Sequence, residues 1–378
     1  MPFPDLHVVC LDPPWPPVYG GAIDQYYGIE ALVAQGVKPA LHVFYRSDRQ
    51  PPGPPPPAWG LQSIYFYRRS VRIDRMLRLR PFIVESRRVK GLLERLRADE
   101  RPIWFQGVHT TGWAAHLRAA QPGRRLVLRV HNIEADYYGA LAEAEPQLLK
   151  RLYFQAESLR LRRYEDKIWS TFDCLQCISQ VEARILAEQG LLAAWLPAFL
   201  VHRPALPLPE WSTDSLPILF HADFRVQENR LAGQFLIDSL PLLPDGCRVT
   251  LAGRGIATWP VPARCQLVPD PPDMLPLLAA HPVVVLPLWR GAGVKLKLLE
   301  SIATGRVVLA TEAALRGSGF EERVPRFTGP VELAEQIHTL LRQPQVARLQ
   351  AAANRDYFLE MYNSERQARQ VLHELGLD

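Results

Sequence analysis

Short apolar runs recur along the chain, each closed by a loop marked with glycine or proline and followed by a stretch of helical period. Runs at 7–11, 102–106, 125–130 and 174–178 in the first half, and at 218–221, 248–252, 283–286 and 307–310 in the second, read as buried strands. Helical periodicity follows many of them: over 22–35, from 148 to 169, over 231–243, and in SQVEARILAEQG, which Ser179 caps and Gly190 ends. The clearest unit lies within 282–311, where the strand over 283–286 passes through a glycine loop into a helix that stops at Gly305, and the strand over 307–310 follows at once. Such alternation predicts an α/β protein with parallel sheets and right-handed crossovers. The tract PPGPPPP at 51–57 suits only a loop or a short polyproline segment.

At 378 residues the chain is long enough for two cores. RPALPLPEWSTDSLP, at 203–217, is proline-rich and aperiodic and marks the boundary. The expectation is an N-terminal domain over 1–202, a linker over 203–217, a C-terminal domain over 218–345, and amphipathic helices over 346–378 that pack back on the N-terminal domain. Two αβ halves joined in this way imply a cleft, where ligands usually lie.

The formal charge of +5 and a pI near 9.0 fit anionic partners or a basic solvated surface. No apolar stretch approaches the roughly 18 residues needed to span a bilayer, and MPFPDLHVVCLDPP lacks the layout of a signal peptide, so a cytosolic protein is expected. Five scattered cysteines make a disulfide framework improbable, and Cys174 and Cys177, though spaced CxxC, sit in an apolar run that reads as a buried strand. From Arg68 to Arg97 eleven basic residues face three acidic ones with apolar residues interleaved, the pattern of one or two amphipathic helices with a basic face. That face either docks on an anionic membrane surface or is simply solvated. Nucleic-acid binding is not expected, because no aromatic platform or reading motif accompanies the charge.

Candidate chemistry collects after the strands. Gly20 and Gly21 open the first long helix, where backbone N–H groups can approach a phosphate; an ordinary βα turn has the same look. There is no GxGxxG and no GxxxxGK[ST]. His109 and His131, with Asn132 and Glu134, follow two successive strands at matching positions and can form a site. The loop RGAGVKLK brings Gly291, Gly293, Lys295 and Lys297 to a helix N-terminus, the usual place for an anion in an open α/β sheet.

VYGG, GVHT, RVHNIEADYY, CIS, HADFRVQEN and GAGVKLKLLESIATGRVV, in this order and spacing, resemble the GT-B glycosyltransferases, in particular the retaining family 4. The set PFIVESR, FQGVHTTGW, RVHNIEADYY and GVKLKLLE is similar to a bacterial branch that makes surface polysaccharide. The resemblance implies two Rossmann-like domains facing across a cleft and a metal-independent transfer of a hexose, with retention, from a UDP- or GDP-linked sugar to a saccharide or lipid-linked acceptor. No cofactor is implied beyond that co-substrate, and no metal. It further implies that Gly20 and Gly21 serve the diphosphate, that His109 orients the reacting sugar, that Arg225, Lys295 and Lys297 neutralise the leaving group, and that Glu300 holds the ribose. The family's earlier glutamate falls on Ala292, a departure that bears on sugar recognition. Its usual Arg and Lys pair is reduced to Arg225, with Asn229 four residues on. A peripheral place on the inner face of the membrane would fit a lipid-linked acceptor. The competing readings are a catalytically silent nucleotide-sugar binder or scaffold and a GT-B-like epimerase; the latter would need a carboxylate dyad that the sequence does not display.

Overall fold

The computed structural model describes residues 6–46, 48, 52–70, 80–201, 204–291 and 293–377. It divides into two compact units, Met1–Val201 together with Tyr362–Asp378, and His202–Met361. Pro51 of the proline tract, Arg203 at the head of the expected linker and Ala292 of the glycine loop lie outside the described residues.

The first unit is built on seven parallel strands: β1 (His7–Cys10), β2 (Ala40–Tyr45), β3 (Ser63–Arg68), β4 (Ile103–Gln106), β5 (Leu126–Val130), β6 (Cys174–Cys177) and β7 (Ala193–Trp195). Their order is β3-β2-β1-β4-β5-β6-β7. The helices are α1 (Gly20–Ala34), α2 (Phe82–Glu85), α3 (Lys90–Leu96), α4 (Ala114–Ala120), α5 (Glu134–Ala144), α6 (Leu148–Ile168) and α7 (Gln180–Glu188). Both faces of the sheet are covered, which is why its central strands read as apolar runs and not as alternations. Val9, Phe105 and Leu128 pack in one core, and their neighbours Val8, Trp104 and Val127 in another. Successive side chains on a strand point to opposite faces. The CxxC pair lies on β6, with Cys177 buried, as a strand reading requires.

β2 and β3 were not marked by the apolar runs, since His42 interrupts β2 and tyrosines fill β3. The interruption is resolved by hydrogen bonds. Tyr67 O–H donates to His42 Nδ1 (2.9 Å), His42 Nε2–H to His7 Nδ1 (2.8 Å), and His7 Nε2–H to Asp99 Oδ1 (3.0 Å). An ionised carboxylate only accepts, so one end of this chain fixes the direction of every bond in it.

Between Arg68 and Arg97 an exposed amphipathic face was expected. Positions 71–79 lie outside the described residues; of the rest, Phe82–Glu85 and Lys90–Leu96 form α2 and α3, whose Ile83, Val84, Leu92 and Leu96 are buried in the core of the unit. Arg87 is buried as well, and Arg88 stacks on Trp113 at 3.8 Å. Arg68, Lys90, Arg95 and Arg97 are exposed.

The second unit holds five parallel strands, β8 (Leu216–Asp223), β9 (Cys247–Arg254), β10 (Cys265–Pro269), β11 (Val283–Leu286) and β12 (Val307–Ala310), in the order β10-β9-β8-β11-β12. Around them lie α8 (Gln227–Ser239), α9 (Leu275–Ala280), α10 (Leu296–Ala303), α11 (Glu312–Leu315), α12 (Pro330–Arg342) and α13 (Pro344–Met361). α8 starts at Gln227, four residues before its apolar period begins, because its first turn is polar and leaves no hydrophobic mark.

Domain limits differ from the expected ones in two places. The stretch 204–217 belongs to the second unit, where Arg306 donates to the carbonyls of Leu206 (2.6 Å) and Pro207 (3.1 Å), and Arg348 stacks on Trp211 at 4.4 Å. α13 is also part of that unit. Only the last helix, α14 (Ser364–Leu375), returns to the first, where Ala368, Val371, Leu372 and Leu375 enter the core with Leu6 and Ile29.

Candidate active site

In the second unit the site begins where β11 ends. All four residues of β11 are buried; beyond it, Trp289 packs edge-on against Phe235 (5.3 Å) and Phe327 (6.1 Å), fixing the start of the loop. Gly291 (φ 105°) and Gly293 (φ 75°) adopt left-handed backbone that favours glycine, which lets the chain turn sharply into α10. No side chain caps α10, and its N-cap residue is Lys295, so the helix directs N–H groups and a basic side chain to the same end.

Lys297 Nζ donates to Asn229 Oδ1 (3.0 Å) and lies 5.1 Å from the centre of the Phe220 ring. Burial pushes its ammonium down to about 8 and lowers that of Lys295 as well. Both lysines therefore sit where an incoming anion would restore the charge that burial disfavours. Glu300, half-buried on α10, stands one turn beyond Lys297. Arg225 is placed otherwise. It is 64% exposed, and its Nε and Nη2 close on Asp223 at 2.9 and 2.5 Å. Its neighbour is Gly255 at the end of β9, where a Cβ would meet Arg225 Cγ at 2.8 Å.

Sequence reasoning passed over two groups here. His221 of β8 is buried with Nε2 unpartnered, and burial drives its imidazole down to about 3. Glu228, in the polar first turn of α8, turns its carboxylate to the glycine loop: a Cβ on Gly291 would lie 2.7 and 2.9 Å from its two oxygens and 2.6 Å from Lys295 Nζ.

In the first unit the two histidines converge. A Cβ on Gly107 (φ 75°) would stand 3.1 Å from His109 Nδ1 and 3.2 Å from His131 Nδ1, so glycine is needed there both for conformation and for space. Among the described residues both nitrogens are buried without a partner. His131 Nε2 donates to Asp24 Oδ2 (3.1 Å), which leaves Nδ1 as the ring nitrogen that faces the space beside Gly107. Burial holds His109 neutral, its pKa well below the ordinary value. Asp24 also accepts from Arg129 Nε (3.0 Å) and Nη2 (2.8 Å) and from the Phe199 amide (2.8 Å). Glu134 is buried close by and bonded by Asn132 (3.4 Å), and burial raises its carboxyl to about 7. Glu165 caps α5 by accepting from the amides of Glu134 (2.8 Å) and Ala135 (3.1 Å).

Gly20 and Gly21 form the first turn of α1, which also lacks a side-chain cap. Asp12, at the end of β1, accepts from Tyr19 (3.3 Å) and Arg87 (3.3 Å) in front of that turn. The structure thus gathers Lys295, Lys297, Gly291, Gly293 and Glu300 in one unit and His109, His131, Asn132 and Glu134 in the other. Among the described residues no group of three His, Cys, Asp or Glu side chains is placed to hold a metal ion.

This glycine loop lies inside the segment 217–343, which matches the family model described as glycosyl transferases group 1. The fold of the whole chain is that of known enzymes. It superposes with a TM-score of 0.69 and 17% identity on a sucrose-phosphate synthase from Thermosynechococcus elongatus, covering 98% of each chain. The chain has the GT-B fold. Anabaena Alr3699/HepE, solved with UDP-glucose, shares this fold at a TM-score of 0.61 and 13% identity over 98% of this chain and 99% of that one. A curated relative, an uncharacterized 44.6 kDa protein in the cps region of Klebsiella pneumoniae, is 23% identical over 334 residues, 82% of this chain and 84% of its own. The matched segment contains Arg225, Lys295, Lys297 and Glu300, and the histidine cluster lies outside it.

Proposed function

We propose that this protein is a glycosyltransferase that moves a hexose from a nucleoside-diphosphate sugar to a saccharide or lipid-linked acceptor, with retention and without a metal, in making a surface polysaccharide. The observation that carries the reading is the uncapped N-terminus of α10 with Lys295 and Lys297 beside it. In the transfer, the bond from the sugar's anomeric carbon to the diphosphate breaks and a bond to an acceptor oxygen forms. The acceptor's proton leaves with the diphosphate. Negative charge grows on the leaving group, so the greatest demand is for fixed positive charge at that point. Helix N–H groups and two lysines supply it, and Glu300, as an acceptor-only carboxylate, is suited to a ribose diol.

The donor is assigned to the second unit and the acceptor to the first, whose His109, His131 and Glu134 offer hydrogen-bonding groups to sugar hydroxyls. HepE is described with UDP-glucose and the Klebsiella relative by its cps region, and both support this reading. Among the described residues of the basic stretch, the exposed Arg68, Lys90, Arg95 and Arg97 are available to an anionic membrane surface.

Calorimetry with UDP, GDP, ADP and dTDP tests the donor site. One of the four is expected to bind, and Glu300→Ala is expected to abolish that binding while circular dichroism stays unchanged. Unaltered affinity in the variant for every nucleotide overturns the assignment of Glu300. Binding without sugar transfer to any acceptor would leave a nucleotide-sugar binder. NMR of the product's anomeric proton reports retention or inversion.

A further inference from the structure

Glu228 is a carboxylate in an unusual setting. An acidic residue in the first turn of a helix is ordinarily exposed and solvated, where it complements the helix dipole. Here the side chain leans across to another loop, so that both oxygens and Lys295 Nζ crowd the space a Cβ on Gly291 would take. Among the described residues Oε1 is buried and has no partner. Burial raises the carboxyl, and the nearby charges of Lys295 and Lys297 act against that rise. A buried carboxylate oxygen without a donor costs free energy unless something supplies one. The diphosphate cannot, since it is itself an anion and accepts. The loop from 290 to 294, RGAGV, carries no other acidic side chain. What remains beside a diphosphate held by two lysines is the group attached to it, which presents hydroxyl donors.

We infer that Glu228 receives hydroxyls of the donor's sugar at the glycine loop and so takes part in choosing that sugar. The inference rests on the transferase reading and narrows it. A ring with adjacent free hydroxyls facing the loop fits such a carboxylate, and one bearing a carboxylate or phosphate there does not, because the like charges would repel.

The test compares each nucleotide with its own sugar conjugate, UDP against UDP-glucose and GDP against GDP-mannose, by calorimetry on the full chain and its Glu228→Gln variant. Glutamine keeps the size of the side chain and removes its charge. The variant is expected to bind the nucleoside diphosphate within about twofold of wild type and to bind the sugar conjugate about tenfold more weakly, the loss of one good charge-assisted hydrogen bond. Equal weakening of both ligands overturns the inference, since Glu228 would then act on the diphosphate end by positioning Lys295. Unchanged binding of both overturns it too. Wild-type protein that binds none of UDP, GDP, ADP and dTDP removes the transferase reading and the inference together.

Discussion

Asp24 shows how much one buried charge can organise. It is 2% exposed and joins Arg129, His131 and the Phe199 amide, while Arg129 also donates to the carbonyls of Leu196 (2.6 Å) and Pro197 (2.7 Å). The arginine and the histidine together hold Asp24 ionised, well below the usual carboxylate range, against the penalty of its burial. Asp24→Asn keeps the shape and leaves Arg129 charged in a dry interior. Breaking such a pair costs about 3–5 kcal/mol, so the urea midpoint of the variant should fall steeply with its slope unchanged. None of this was visible in the sequence, where Asp24 is one acid in the helix after GG and Arg129 one base in a strand. They stand 105 positions apart, and no local pattern reports that they meet.

Strands β1, β2 and β3 carry a chain of titratable side chains across one side of the sheet. Burial keeps His7 and His42 below their ordinary pKa, so both are neutral in the native state. The unfolded chain takes up protons at these positions near pH 6.5, and the folded chain does so only at lower pH. Unfolding is therefore coupled to proton uptake below about pH 6.5, and the contribution of the two histidines to stability is full above that value and declines beneath it. Glu134 and Glu165, raised by burial to about 7 and about 8, work in the opposite direction, since their folded forms hold protons that the unfolded chain releases. The separable prediction is a difference. Between pH 7.5 and pH 5.5, His42→Phe should lose less unfolding free energy than wild type, whatever its stability at pH 7.5. Urea titrations at the two pH values check this, and an equal loss in both proteins would rule out the role given to the histidine chain. α10 teaches a related lesson. Its glycine loop and its flanking strands, β11 and β12, were legible to the residue, because apolar runs and glycines mark themselves locally. The start of α8 was not, because its polar first turn carries no hydrophobic period, and with that turn Glu228 went unseen.

The chain crosses between units twice, and its last crossing is structural. α14 closes the core of the first unit with Ala368, Val371, Leu372 and Leu375, although it follows the whole of the second in sequence. Fully burying a side chain such as Val or Leu contributes about 1.5–3 kcal/mol. A chain ending at Met361 should therefore lose most of the first unit's stability and keep the second folded. Native-state hydrogen exchange read by mass spectrometry would show protection lost over β1 and α1 and retained over β11 and α10. Among the described residues no helix is long and apolar enough to cross a membrane.

By itself the amino-acid sequence determined the α/β class, the parallel strands, the two halves and the glycine loop. Each of these rests on interactions between near neighbours, namely apolar runs, helical period and the backbone freedom of glycine. The tertiary structure alone decided that His109 and His131 meet at Gly107, that Asp24 anchors the second of them, and that Glu228 closes on the loop before α10. Those pairings come from strands placed side by side and loops brought together at their ends. A sequence specifies them only through the packing of the whole unit, so they could be read once that packing was in hand.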